Sequence, residues 1–313
     1  TNSHTAYEES TVTYKGKVRG AELIDYKTQK YYTPASSQTT TKYFYGLNQN
    51  DHRDASSTVG TAGIALTATA EYQDNVSSVA YTTVTSLLAR TYYIGNLGAE
   101  LADYAQTFTS NQAGTAGQYV DTTLYYYGTG LLSDVLNYTA TYSGGTASRS
   151  VSGLPQRASA HYQGKVRGEE IMDYTRTYAG SSAPAVVTTT KRFYGPSFQE
   201  ASAVAATSLA MTKTETRDAQ GRLTSVTMYT GYRGEEMVDT MTKYVTDPSG
   251  DQTAKSTTVY YYTSSTMTGD RKVLRSTNVY QGAVTRAQAA DETSLIKENT
   301  TFYRSELQGR EIT

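Results

Sequence analysis

A segment of this chain recurs, and recurrence at a period of tens of residues constrains folding more than any single motif does. Tyr14 opens YKGKVRGAELIDYKTQKYY and Tyr162 opens YQGKVRGEEIMDYTRTY. Shorter copies open at Tyr93 (YIGNLGAELADYAQTF), Tyr229 (YTGYRGEEMVDTMTKY) and Tyr303 (YRSELQGREIT). Their starts lie 79, 69, 67 and 74 residues apart, which predicts one unit repeated with connections of variable length. The expected organisation is a closing strand of an incomplete unit over 1–13, repeats over 14–92, 93–161, 162–228 and 229–302, and the start of a fifth over 303–313. A second signal falls midway through each repeat: TTTKYFYG ends at Gly46, DTTLYYYG at Gly128, TTTKRFYG at Gly195 and STTVYYYT at Thr263. Each repeat therefore divides into two long hairpins.

Composition decides the type of element. Leu, Ile, Val and Phe together number 48 of 313 residues, too few for an ordinary aliphatic core, while Thr numbers 53 and Tyr 30. Both favour strands, and Tyr buries a ring while keeping a hydroxyl for a polar partner. Turn chemistry agrees: Asp218-Ala-Gln-Gly221 and Asp247-Pro-Ser-Gly250-Asp251 sit between alternating Thr and apolar residues, as hairpin turns do. Further turns are expected near 34–37 and 111–117. Only 201–210 and 285–297 read as short helices. The fold expected is all-β, tandem hairpins in a continuous spiral or stacked sheet, a β-solenoid.

Lys plus Arg is 28 and Asp plus Glu is 29, a net charge of −1, which argues against a nucleic-acid partner. The absence of Cys removes disulfides, thiolate metal sites and cysteine nucleophiles. No apolar run approaches the roughly 18 residues that a spanning helix needs. Thr1 in place of Met leads to the expectation that any targeting segment was removed or lies outside this sequence.

The segment Asp218 through Val226, DAQGRLTSV, resembles the tyrosine-aspartate (YD, or RHS) repeat, whose unit reads Tyr-Asp-x-x-Gly-Arg-Leu before a Thr/Val strand. Arg217 stands where that family has Tyr, so about nine residues carry the likeness. The resemblance implies a spirally wound sheet, as in bacterial RHS shells and teneurin-type barrels, and a container or scaffold without enzymatic activity.

The candidate site residues recur with the repeat. Gly16, Gly95, Gly164 and Gly231 follow the opening Tyr by two and are expected to share one backbone conformation. Glu22/Asp25, Glu100/Asp103, Glu170/Asp173 and Glu236/Asp239 are carboxylates three apart, and Arg19, Arg167 and Arg233 precede the Glu by three. A regular strand sends residues three apart to opposite faces. The favoured reading is a ladder of Arg–carboxylate contacts between hairpins. Calcium held by Glu22, Asp25, Glu170, Asp173, Glu236 and Asp239 is a second reading, and catalysis a third. His4, His52 and His161 lie far apart without ligand spacing, and His161 reads as a strand-surface residue. The tyrosine triplets at 43–45, 125–127 and 260–262 read as packing ladders or as a carbohydrate platform. Asn75, Asn137 and Asn299 head N-glycosylation sequons.

The expected function is a structural, extracellular or cell-surface repeat protein, not an enzyme and without a cofactor. Its partner would be further copies of itself, joined head to tail through strand edges, with glycans as a second partner class. The alternatives are a fragment of an RHS-type shell or adhesin stalk, and a carbohydrate-binding module.

Overall fold

The computed structural model describes residues 7–16, 22–32, 37–58, 60–61, 63–73, 80–81, 86–109, 117–180, 184–205, 208–262, 274–291 and 295–303. The strands are β1 (Tyr7–Lys15), β2 (Leu23–Tyr32), β3 (Ser37–Gly46), β4 (Arg53–Asp54), β5 (Ala65–Gln73), β6 (Leu87–Ile94), β7 (Leu101–Phe108), β8 (Tyr119–Tyr127), β9 (Leu136–Ser143) and β10 (Gln156–Gln163). They continue as β11 (Ile171–Ala179), β12 (Ala185–Tyr194), β13 (Gln199–Glu200), β14 (Met211–Asp218), β15 (Leu223–Thr230), β16 (Met237–Thr246), β17 (Gln252–Tyr262), β18 (Leu274–Gln281) and β19 (Lys297–Phe302). The protein is all-β, and its nineteen strands belong to one antiparallel sheet. Among the described residues they are interrupted by short α-helices, α1 (Ala55–Thr58), α2 (Ala201–Val204) and α3 (Arg286–Asp291), and by one 3-10 turn, Gly130–Leu132. The expected helices at 201–210 and 285–297 are thus present but shorter. Lys297 already belongs to a strand.

The chain divides into two compact units, one of 1–126, 139–157 and 180–184, the other of 127–138, 158–179 and 185–313. In the first, Phe44, Ala68, Ala70, Tyr72 and Leu87 form a buried cluster, and Tyr45, Ala55 and Ile64 form another. In the second, Ile171 and Tyr194 pack on Ala201 and Val204 of α2, while Val259 and Tyr280 pack on Val284 and on Ala289 of α3. Each helix lays small apolar residues over a ring of the sheet, which a chain poor in Leu and Ile needs. Threonine supplies the rest of the interior: Thr40, Thr122 and Thr257 are fully buried. Cross-strand hydroxyl pairs, Thr190–Thr216 at 2.9 Å and Thr242–Thr257 at 3.0 Å, satisfy part of that polarity.

Both DxxG turns are observed. Asp218 and Asp247 each accept from amides within their own loop, and Gly221 and Gly250 hold φ of 79° and 95°, which a Cβ disfavours. The turn residues near 34–36 and 111–116 lie outside the described residues, although the flanking strands pair, Tyr31 with Ser37 and Phe108 with Tyr119.

Nearly every hairpin carries a β-bulge, and its position matches the repeat. Between β1 and β2, Thr13 pairs with Tyr26 and Tyr14 with Ile24, leaving Asp25 as the extra residue. The same count makes Asp103, Asp173 and Asp239 the extra residues on β7, β11 and β16. A second series leaves Thr67 on β5, Thr212 on β14 and Arg275 on β18. An inserted residue breaks the ladder locally and frees backbone groups that need other partners.

Candidate functional site

The recurrent acidic residues are where those freed groups go. Glu100 Oε1 accepts the Leu66 amide at 3.1 Å, Glu170 Oε1 the Leu136 amide at 2.8 Å, and Glu236 Oε1 the Met211 amide at 3.0 Å. Leu66 and Met211 stand beside the bulge residues Thr67 and Thr212. The other carboxylate oxygen closes the local turn: Glu170 Oε2 accepts from Gly168 at 2.8 Å, and Glu236 Oε2 from Gly234 at 2.9 Å. The Glu is a clamp between its own turn and a strand 25 to 34 residues earlier.

The tyrosine that ends three of the four mid-repeat segments does the complementary work. The hydroxyl of Tyr45 donates to the Ile24 carbonyl at 2.9 Å, that of Tyr194 to Met172 at 2.6 Å, and that of Tyr262 to Val238 at 2.9 Å. Each acceptor immediately precedes a bulged Asp. Burial pushes the Tyr194 hydroxyl up to about 12, so it stays a donor at physiological pH.

In three copies the Asp of the motif faces a cation, supplied differently each time. Asp25 accepts from Lys42 at 2.6 Å with both residues buried, and Asp54 lies 3.6 Å from the same ammonium. Asp103 pairs with Arg149 at 2.8 Å, and Asp239 pairs with Arg286 of α3. These are Arg–carboxylate contacts, made by Arg149 and Arg286 rather than by the recurrent arginines. Both Glu170 oxygens are taken by amides, Arg233 donates to the Glu169 carbonyl at 3.4 Å, and Arg167 sits at the second position of the 166–169 turn. Arg19 lies outside the described residues. Of the calcium candidates, Glu170 and Glu236 accept backbone amides, Asp25 accepts from an ammonium and Asp239 pairs with Arg286. Among the described residues no three His, Asp or Glu side chains are grouped to hold a metal ion.

The glycine expectation holds for Gly16, Gly95 and Gly231, with φ of 143°, 112° and 121°, but Gly164 is not in the left-handed region. A Cβ there would still meet the Glu170 Cα at 3.0 Å. The glycines that do match are Gly98, Gly168 and Gly234, at φ 79°, 81° and 83°, each third in a turn closed by an i to i+3 hydrogen bond. That is type II geometry.

Aromatic stacking follows strand register rather than the triplets. Tyr92 stacks on its cross-strand partner Tyr104 at 4.1 Å, and His161 lies between Tyr138 at 5.4 Å and Tyr174 at 4.3 Å. His161 is thus a half-buried stacking residue. Tyr81 stacks on His52 at 4.1 Å, while the Arg90 guanidinium lies 4.4 Å from the Tyr81 ring centroid and donates to the Tyr81 carbonyl at 2.7 Å. His52 and Thr67 share a 3.0 Å hydrogen bond. Beside this cluster, in the first unit, opens a cleft of about 390 Å³ lined by His52, Tyr93, Tyr104, Asp103 and Arg149. Asn137, on the strand end clamped by Glu170, and Asn299 of β19 are exposed, and Asn75 lies outside the described residues.

Burial lowers the pKa of both histidines; Arg90 adds to this at His52 and Arg176 at His161, with Asp51 and Asp173 opposing. A histidine whose folded pKa lies below its unfolded value, about 6.5, stabilises fully above that pH and loses this as pH falls. Urea midpoints are expected to be lower at pH 5.5 than at 7.5. The double variant His52→Phe/His161→Phe should flatten that difference, and a pH-independent midpoint in the parent protein would refute the assignment.

No protein-family model matches the chain, and no curated protein matches it. No helix among the described residues is long and apolar enough to cross a membrane.

Proposed function

We propose that the chain is a structural, extracellular repeat protein, a protomer or segment of a filament built by adding strands edge to edge. One observation carries this reading. The residues that recur with the repeat (Glu, Asp and the third Tyr) are committed to backbone groups and to ion pairs at bulges. Recurring residues used in this way describe a construction module that stacks on its neighbours, with the repeats divided at Tyr14, Tyr93, Tyr162, Tyr229 and Tyr303 and the sheet winding as a spiral. Glu100, Glu170, Glu236, Asp25 and Asp239 are in this way engaged in the framework itself. The likeness to the tyrosine-aspartate repeat supports the neighbouring reading, a piece of an RHS-type shell or adhesin stalk. In that motif's own stretch Asp218 takes the Arg222 amide and pairs with its guanidinium, so the shared residues build the turn.

Among the described residues β1 pairs with β2 alone and β19 with β18 alone. Both edges carry exposed apolar side chains, Val12 and Tyr14 on β1 and Phe302 on β19. Such edges template pairing with another chain. β1 and β19 hold the same place in the repeat, so direct pairing would set two first strands side by side. Residues 303–313 are the segment that would supply the intervening strand. Electron microscopy and sedimentation should show intact protein forming filaments, while deletion of 303–313, or Val12→Lys, leaves folded monomers. Persistent polymerisation of both variants, or an intact chain that stays monomeric at high concentration, would rule the proposal out.

A further inference from the structure

We propose that the cleft beside His52 in the first unit is a binding site for a neutral oligosaccharide, one or two pyranose rings deep. The inference stands on this cleft alone and does not depend on filament assembly.

The site arises from one departure within the repeat. In the first copy the bulged Asp25 is sealed by Lys42, one strand away. In the second copy Leu124 stands at the Lys42 position and is buried. Without an internal ammonium, Asp103 turns to Arg149, which reaches it from the connection between β9 and β10. The pair stays partly open, with side-chain exposures of 18% for Asp103 and 45% for Arg149. The connection is held in place from beneath: Gln106, fully buried, donates from Nε2 to the Thr146 carbonyl at 2.7 Å. The Arg149 wall is therefore anchored to the sheet before any ligand arrives.

The lining selects the ligand class. A small-molecule site needs apolar surface with a few convergent polar groups, in a volume of roughly 300–1,000 Å³. The cleft has about 390 Å³, which sets the size at a mono- or disaccharide. Tyr93 gives aromatic surface on which the C–H face of a pyranose can lie, with His52 beside it and the buried Tyr104, stacked on Tyr92, at the floor. Asp103, Arg149 and Asn50 give the planar donors and acceptors that grip vicinal hydroxyls in pairs. One carboxylate and one guanidinium cancel, so neither a cation nor an anion is favoured. Burial and neighbouring tyrosines hold the Tyr104 hydroxyl protonated, which leaves it a donor.

The test is saturation-transfer NMR and calorimetry on the intact chain, with maltotriose, cellotriose and chitotriose as separate probes at millimolar concentration. Choline is included as a cationic control. At least one trisaccharide should bind, and Arg149→Met and Tyr93→Leu should each weaken it about tenfold or more, the loss of one charge-assisted hydrogen bond or of the stacking surface. Arg157→Met removes a comparable exposed pair, with Asp121, and should leave binding unchanged. Thermal melts establish that each variant is folded. Binding by none of the three sugars, equal binding in Arg149→Met, or preference for choline overturns the proposal.

Discussion

Replacing Lys42 by Met is expected to lower the unfolding free energy by about 3–5 kcal/mol, because it leaves a buried carboxylate without its counter-charge. Asp25 and Lys42 are 4% exposed each, their 2.6 Å hydrogen bond lies inside the first unit, and Asp54 shares the ammonium at 3.6 Å. Lys15, at 3.9 Å and half exposed, offers Asp25 a second cation too far away to replace the first. The double variant Asp25→Asn/Lys42→Met should recover a large part of the loss, since an amide in that place needs no counter-ion. Chemical denaturation of the three proteins measures both steps. A single variant within 1 kcal/mol of the parent, an outcome typical of exposed pairs, would show that the pair is solvated.

Glu170→Gln is expected to cost about 2 kcal/mol, more than a surface ion pair would. Its two oxygens accept the Leu136 and Gly168 amides at 2.8 Å each, and hydrogen bonds to a charged acceptor are worth about 1.5–3 kcal/mol. Glutamine keeps one acceptor and turns an NH₂ toward the other amide. Solvent at this partly exposed site replaces some of the loss, which sets the figure below the sum. The cost should be the same with and without chelator. A stability drop of several kcal/mol on adding chelator to the parent protein would restore the calcium reading and contradict the clamp.

The difference between those costs and the roughly 0–1 kcal/mol expected for an exposed Arg–Glu pair shows where the sequence stops being readable. The turns at Asp218 and Asp247 are legible because the residues that make them are within four positions of each other. All-β architecture is legible because Thr and Tyr replace Leu throughout. The Glu–Asp spacing misleads because the alternation rule assumes an unbroken strand. A bulge at Asp25, Asp103, Asp173 or Asp239 shifts the facing by one residue. The clamp's other end is 25 to 34 residues earlier, at amides that no side-chain pattern marks. A faint signal exists: Leu66-Thr67, Leu136-Asn137, Met211-Thr212 and Leu274-Arg275 all open the strand after a tyrosine triplet. The cleft was less visible still, because it depends on Leu124 replacing a lysine and on a connection that brings Arg149 back over β7.

The central claim, that the recurrent glutamates of the repeat act as backbone clamps, is tested most directly by native-state hydrogen exchange at Leu66, Leu136 and Met211. All three amides donate to a glutamate carboxylate. The account predicts protection at each in the parent chain, with selective loss at Leu136 in Glu170→Gln and at Met211 in Glu236→Gln, while the rest of each strand stays protected. Exchange at unprotected rates in the parent chain, or protection at Leu136 and Met211 unchanged by the substitutions, would contradict it.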